Sequence, residues 1–161
     1  MSTKLEKQAE ELLHEHHLKA TKPRLRILLY LMTHHNHPTA ETIYQDIASD
    51  KPTYRATIYN TLNTLVNVGV IIEIKNGDSS SHYDYFVKPH FHIICTNCGK
   101  IADVFYPNFN TIENKMCTEA EKQTGFITSK SHIEIYGLCP DCQKKITKKI
   151  RGFQTSYFFS A

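Results

Sequence analysis

The chain has 161 residues, 40% of them apolar and 22% charged, which fits a globular protein of one domain or two small ones. The formal charge is only +3, and no apolar run reaches the roughly 18 residues of a membrane span. Residues 1–87 carry nine basic side chains against ten acidic, and residues 88–161 carry ten against six, so charge does not mark the N-terminal half as a nucleic-acid binder.

The polar, acidic start from Met1 to Glu15 lacks the apolar segment of a secretory signal. A cytoplasmic protein is expected, with its five cysteines serving as metal ligands or redox groups rather than disulfides. Leu5, Ala9, Leu12 and Leu13 recur at helical spacing over residues 5–17. Thr21-Lys22-Pro23 predicts a helix start, with Thr as N-cap and Pro just inside. That helix runs through Ile27, Leu28, Leu31 and Met32 and frays at His34-His35-Asn36. A third helix is predicted from Thr39 to Ile47, with Ile43, Tyr44 and Ile47 inward. After the break at Lys51-Pro52-Thr53 a fourth helix runs to about Val68, stopped by Gly69. Strands at Val70–Lys75 and His82–Phe86 flank Asn76-Gly77-Asp78, a strong hairpin signal. Helices followed by a hairpin predict a winged helix-turn-helix over residues 1–87.

Lys88-Pro89 reads as a linker into a small α/β domain over residues 88–145. Strands are expected at Phe91–Thr96 and Ile101–Phe105, a helix from about Asn108 to Gln123 ended by Gly125, and a longer strand at Phe126–Tyr136. The fold class is therefore α+β. A tail over 146–161 is basic first and aromatic last, and Ile146, Ile150 and Phe153 could extend a helix.

On the fourth helix Ile58, Leu62, Leu65 and Val66 face inward. Ala56, Asn60, Asn63 and Asn67 then point out, flanked by Thr57 and Tyr59. An outward face of amides, threonine and tyrosine without an acid suits a major groove: Asn can pair with adenine, and Arg55 at the start can meet phosphate or guanine.

Cys95-Thr-Asn-Cys98 and Cys139-Pro-Asp-Cys142 form two C-x2-C pairs, with 40 residues between them. Four thiolates in that pattern make a closed tetrahedral site that favours structural zinc, which contributes folding energy directly. Such a site would lower the net charge to about +1. Cys117 is the odd thiol and is expected in the core of its helix. His90 and His92 lie two apart, so on a strand both imidazoles point to one side. Asp84 and Asp103 are their nearest candidate partners, and such a donor set admits zinc, iron, copper, nickel or manganese.

Arg24, His37-Pro38-Thr39-Ala40, Ala56-Thr57-Ile58-Tyr59-Asn60, Tyr83-Asp84, His90-Phe91-His92, Cys95 to Lys100, Asp103, Gly125-Phe126, Glu134 to Gly137 and Cys139 to Cys142 together resemble the ferric-uptake-regulator (Fur) family. Within it they most resemble the peroxide-responsive repressors (PerR), over about residues 5–145. The resemblance implies a homodimeric winged-helix repressor acting on a double-stranded DNA operator, with no membrane and no small organic substrate as partner. It implies structural Zn²⁺ on Cys95, Cys98, Cys139 and Cys142. It also implies regulatory Fe²⁺ or Mn²⁺ held by His37, Asp84, His90, His92 and Asp103, with Arg24, Arg55, Thr57, Tyr59, Asn60 and Asn63 toward DNA. Peroxide sensors resemble this chain in carrying Asp at position 103, where iron-uptake repressors carry Glu. Family precedent then implies iron-dependent oxidation of His37 or His90 and release of DNA, which is the behaviour of a sensor and not an enzyme.

Two departures from the family pattern carry expectations. Pro89 and Phe91 stand where many relatives ligate a further metal, and His132 is one residue off the usual histidine position, held here by Ser131; that site is expected to be absent. Tyr54 replaces the usual Ser at the start of the fourth helix, so Thr53 is expected to cap it. The alternatives are an iron, manganese or zinc uptake repressor of the same family, a zinc-stapled interaction module and, more distantly, a metallohydrolase. No H-E-x-x-H motif supports the last.

Overall fold

The computed structural model describes residues 3–50, 52–75, 80–85 and 88–146. The chain divides into two compact units, Met1–Lys88 and Pro89–Ala161. Among the described residues no helix is long and apolar enough to cross a membrane.

The first unit opens with α1 (Lys4–Glu15). Its start is a capping box. The Glu6 amide donates to Thr3 Oγ1 at 3.2 Å and the Thr3 amide donates to Glu6 Oε2 at 2.6 Å, so donors that a helix start leaves open are satisfied reciprocally. Ala9 and Leu13 are buried against α2 (Lys22–Thr33), which buries Ile27, Leu28 and Leu31. Thr21 is the N-cap residue of α2, although its side chain makes no capping bond; Pro23 is the second residue of the helix. Next come α3 (Ala40–Asp50), burying Ala40, Ile43 and Ile47, and α4 (Arg55–Asn67), burying Ile58, Thr61, Leu62 and Leu65. Both pack on α2 and on each other. Gly69 follows with φ +78°, a left-handed turn that costs glycine little and ends the helix. The core gathers these side chains with Val70, Ile71 and Tyr83. Each fully buried Leu or Ile contributes roughly 1.5–3 kcal/mol.

The expected wing is present as β1 (Ile72–Ile74) paired antiparallel with β2 (His82–Asp84). Both strands are shorter than predicted, and the Asn76-Gly77-Asp78 turn lies outside the described residues. A second partner for β2 is the segment before α3: Thr39 bridges His82, and the Tyr83 amide donates to the Pro38 carbonyl at 3.0 Å.

In the second unit β3 (Phe91–Cys95) is the middle strand. It pairs antiparallel with β4 (Ile101–Val104) and parallel with β5 (Glu134–Gly137). The chain between β4 and β5 holds α5 (Phe109–Thr124), which starts at left-handed Asn108 and ends at Gly125, φ +75°. Phe91 meets Phe109 of α5 with ring centroids 5.6 Å apart. A closing helical stretch covers 140–146, and the expected helical extension through Ile150 and Phe153 falls outside the described residues.

The strand expected over Phe126–Tyr136 is corrected to Glu134–Gly137. Residues 126–133 lie outside any strand, and Ile127 is 93% exposed. Residues 128–132 are polar, a strand needs a ladder partner for its backbone groups, and β5 is the part that finds β3.

Candidate metal centres and nucleic-acid interface

Cys95 ends β3, Cys98 sits in the turn to β4, and Cys139 and Cys142 follow β5 into the closing helical stretch. Their four sulfurs all lie within 4.8 Å of one another, and Cys98 Sγ is 3.7 Å from Cys139 Sγ. Zinc–thiolate bonds of about 2.3 Å in a tetrahedron separate sulfurs by about 3.8 Å, so the quartet fits a zinc ion. Backbone and side-chain donors already serve the sulfurs. The Cys139 amide donates to Cys95 Sγ at 3.3 Å, and Asn97 Nδ2 donates to Cys142 Sγ at 3.1 Å. The Cys139 amide foremost brings the Cys95 thiol down to about 6. At Cys142 the Asn97 amide acts downward, but burial and the three neighbouring cysteines outweigh it and push the thiol up to about 11. Thiols so crowded cannot all ionise without a cation, which is the condition zinc meets. All five cysteines are reduced, and Cys117 is half-buried on α5.

A second donor set lies beside the quartet on the same sheet. His92 and Asp103 are directly opposite one another on β3 and β4, so their side chains share a face. His90, two residues before His92, joins them. His90 Nε2 lies 3.0 Å from His92 Nε2, and Asp103 Oδ1 is 3.5 and 3.4 Å from those two nitrogens. His92 is fully buried and His90 nearly so. Ligands bound to one ion at roughly 2.0–2.2 Å are spaced about 3.0–3.5 Å apart for right-angle to tetrahedral geometry, so these three atoms fit a shared divalent ion.

The first unit contributes a separate pair. His37 and Asp84 are both buried, and an imidazole nitrogen of the one is within 4.8 Å of a carboxylate oxygen of the other. They meet because β2 pairs with the segment around Pro38; His82 Nδ1 also bonds the His37 carbonyl oxygen at 2.5 Å. His37 has φ +50°, a left-handed backbone uncommon outside glycine though less so for histidine, and such positions cluster at functional sites.

His132 is outside any strand, its ring 5.5 Å from that of His92 and its Nε2 2.9 Å from Glu134 Oε1. Sequence reasoning missed this neighbour, since only the parallel register of β3 with β5 brings it there. Among the described residues two clusters of three or more metal-ligating side chains form, neither including His132.

On α4 the outward positions Ala56, Tyr59, Asn60, Asn63 and Asn67 are exposed and Thr57 is half-buried. Tyr54 is the N-cap residue, 82% exposed, with no side-chain cap, so the expected Thr53 cap is corrected. Arg24 is half-buried and donates to the Lys19 carbonyl at 3.1 Å. Arg55, expected to face DNA, is bonded to Glu41 of α3 by Nε at 3.0 Å and Nη2 at 2.7 Å.

The fold and these clusters define a class: an α+β protein with a winged helical unit and a sheet unit built around metal-ligating side chains. The ferric uptake regulator family model matches residues 15–136. A peroxide-responsive repressor PerR from Staphylococcus aureus is 43% identical over 129 residues, covering 80% of this chain and 84% of that protein. Among solved structures, the Campylobacter jejuni peroxide stress regulator superposes with a TM-score of 0.65 at 31% identity, over 82% of this chain and 97% of its own. The Helicobacter pylori ferric uptake regulator Fur, described as having three functional metal-binding sites, gives 0.66 at 29% identity, over 89% and 97%. The chain belongs to the ferric uptake regulator family, and the peroxide-responsive repressors are among its similar relatives.

Proposed function

We propose that the protein is a metal-dependent transcriptional repressor of the cytoplasm that binds a DNA operator as a homodimer and releases it when peroxide oxidises a ligand histidine. The observation that carries this reading is the convergence of His90, His92 and Asp103 on one face of the sheet, with Asp rather than Glu at position 103. Cys95, Cys98, Cys139 and Cys142 hold structural zinc. His90, His92 and Asp103, joined by His37 and Asp84 of the first unit, hold Fe²⁺ or Mn²⁺. Filling both donor sets at once biases the two units toward a DNA-competent arrangement, a two-state element controlled by a ligand. Bound iron supplies one-electron chemistry with peroxide, which manganese in the same ligands hardly does. His37 and His90 are the residues that would take up the oxygen, and a ligand so altered holds its ion less well.

The operator is met by Thr57, Tyr59, Asn60 and Asn63 of α4, with Arg24 on the phosphate backbone. A homodimer is supported by the second unit's surface: α5 buries only Phe109 of its own side chains, and Ile112, Met116, Phe126, Ile127 and Ile135 are exposed, apolar side chains that a partner subunit would cover. The protein acts as a regulator and turns over no substrate.

A second reading, an uptake repressor without peroxide sensing, is favoured by the likeness to the Helicobacter pylori protein. Mass spectrometry of iron- and manganese-loaded protein after mild peroxide decides between them. A single added oxygen on the His37 or His90 peptide, with iron only, is expected. An unmodified iron form would favour the uptake repressor, and oxidation confined to the cysteine quartet would make this a thiol sensor. Equal peroxide sensitivity of the Asp103→Glu variant would remove the argument built on Asp103.

A further inference from the structure

We propose that Glu41 is a specificity-determining residue: it holds the Arg55 guanidinium on the protein, so that helix α4 meets DNA as an uncharged surface. The inference rests on the DNA-binding reading above. Arg55 is the one charged residue in the sequence of α4. Two arms of its fork reach both carboxylate oxygens of Glu41, at 3.0 and 2.7 Å, the bidentate geometry that makes such pairs strong. The guanidinium carbon also lies 4.5 Å from the centre of the Tyr44 ring, an added attraction between cation and ring face. Glu41 and Tyr44 are three residues apart on α3, hence on one helix face. Gln45 Nε2 donates to Glu41 Oε1 at 3.1 Å and steadies the carboxylate. The Arg55 bonds hold the Glu41 carboxyl below its usual value.

The pair is 61% and 41% exposed at its two side chains, and an ordinary pair so exposed would be weak. The bidentate fork, the ring and Gln45 preorganise this one against competing phosphates. Two consequences follow. A cation compensated by its own carboxylate releases no phosphate counterion. The Nε–Nη2 edge is also closed to the O6 and N7 acceptors of guanine. Readout then falls to neutral groups, including Tyr54 and Tyr59, both exposed near the start of the helix.

The test uses full-length, zinc- and manganese-loaded protein on a duplex selected from a random library. Operator affinity is measured against salt for wild type, Glu41→Gln, Arg55→Met and the double variant. The double variant should weaken binding equally at all salts, because it loses the staple between helices without a change in net charge, and leave the slope of log affinity on log salt unchanged. Arg55→Met, by contrast, bares the Glu41 carboxylate and should weaken binding most at low salt. Glu41→Gln should steepen that slope by about 0.9 per subunit, about 1.8 for the dimer, gain a guanine in its selected sites, and lose both gains in the double variant. A slope shallower by about 1.8 for the dimer in the double variant, which removes both charges, would show that Arg55 already engages phosphate, and overturn the proposal. Equal slopes for wild type and Glu41→Gln would do the same. NMR titration of the free protein reports the pair itself: the Glu41 midpoint should lie low and rise in Arg55→Met, and an ordinary midpoint in wild type overturns the proposal whatever the DNA does. Failure of every variant to bind DNA, with that midpoint low, sinks the DNA-binding reading and this inference with it.

Discussion

At the scale of single residues, burial and pairing decide what a side chain can do. Arg55 looks like a DNA contact by position and type, yet it is bonded to Glu41, fourteen residues earlier in the chain. His37 is one of several histidines in a short stretch, and only its left-handed backbone and its burial beside Asp84 separate it from its neighbours. Tyr30 shows the same logic in a purely structural pair, donating to Asp46 Oδ2 at 2.5 Å between α2 and α3. Tyr30→Phe should lower stability by about 1 kcal/mol, read by urea denaturation at neutral pH. Burial, followed by the Asp46 bond and charge, raises the Tyr30 phenol well above its usual 10.0. A raised value means the folded state favours the neutral phenol. The stabilisation is therefore fully present below the unfolded phenol's range and is lost as pH rises from there through the raised folded value. The gap between wild type and Tyr30→Phe should narrow in that window.

At the scale of elements, periodicity was a sound guide where a helix buries one stripe. The inward sets Ile27, Leu28 and Leu31, and Ile58, Leu62 and Leu65, were legible because a spacing of 3.6 puts them on one face. The capping box of α1 was missed, although Thr3 and Glu6 stand at its required separation. Thr3→Ala should cost about 1 kcal/mol, seen as a lower melting temperature with α1 amides exchanging faster. Strand length was the least legible feature. Phe126 to Tyr136 has apolar residues at both ends and a polar middle at residues 128–132, and a strand extends only as far as its hydrogen-bonding neighbour, which is distant in sequence. The same distance hid the His132–His92 contact.

At the scale of the molecule, the thiolate quartet ties the end of β3 to the segment after β5. Among the described residues the second unit has few buried apolar side chains besides Ile94 and Phe109, whereas the first has a continuous core. Chelation of zinc should therefore unfold the second unit and leave the first folded, since binding free energy is folding free energy in small metal-built units. Heteronuclear NMR before and after a strong chelator checks this: collapse of resonances from residues 91–137 with those of α2 and α4 retained is the expected outcome. Uniform loss across both units would show that one core serves the whole chain.

Sequence alone determined the helical unit, its wing, the paired C-x2-C motif and the shared face of His90 and His92. Each is a matter of local spacing, and a helix or strand converts spacing into direction without reference to the rest of the chain. Tertiary structure decided which distant groups meet: Asp103 opposite His92, Asp84 beside His37, and Glu41 on Arg55. Those pairings depend on strand register and on helix packing, which are properties of the folded chain as a whole, and no local pattern encodes them.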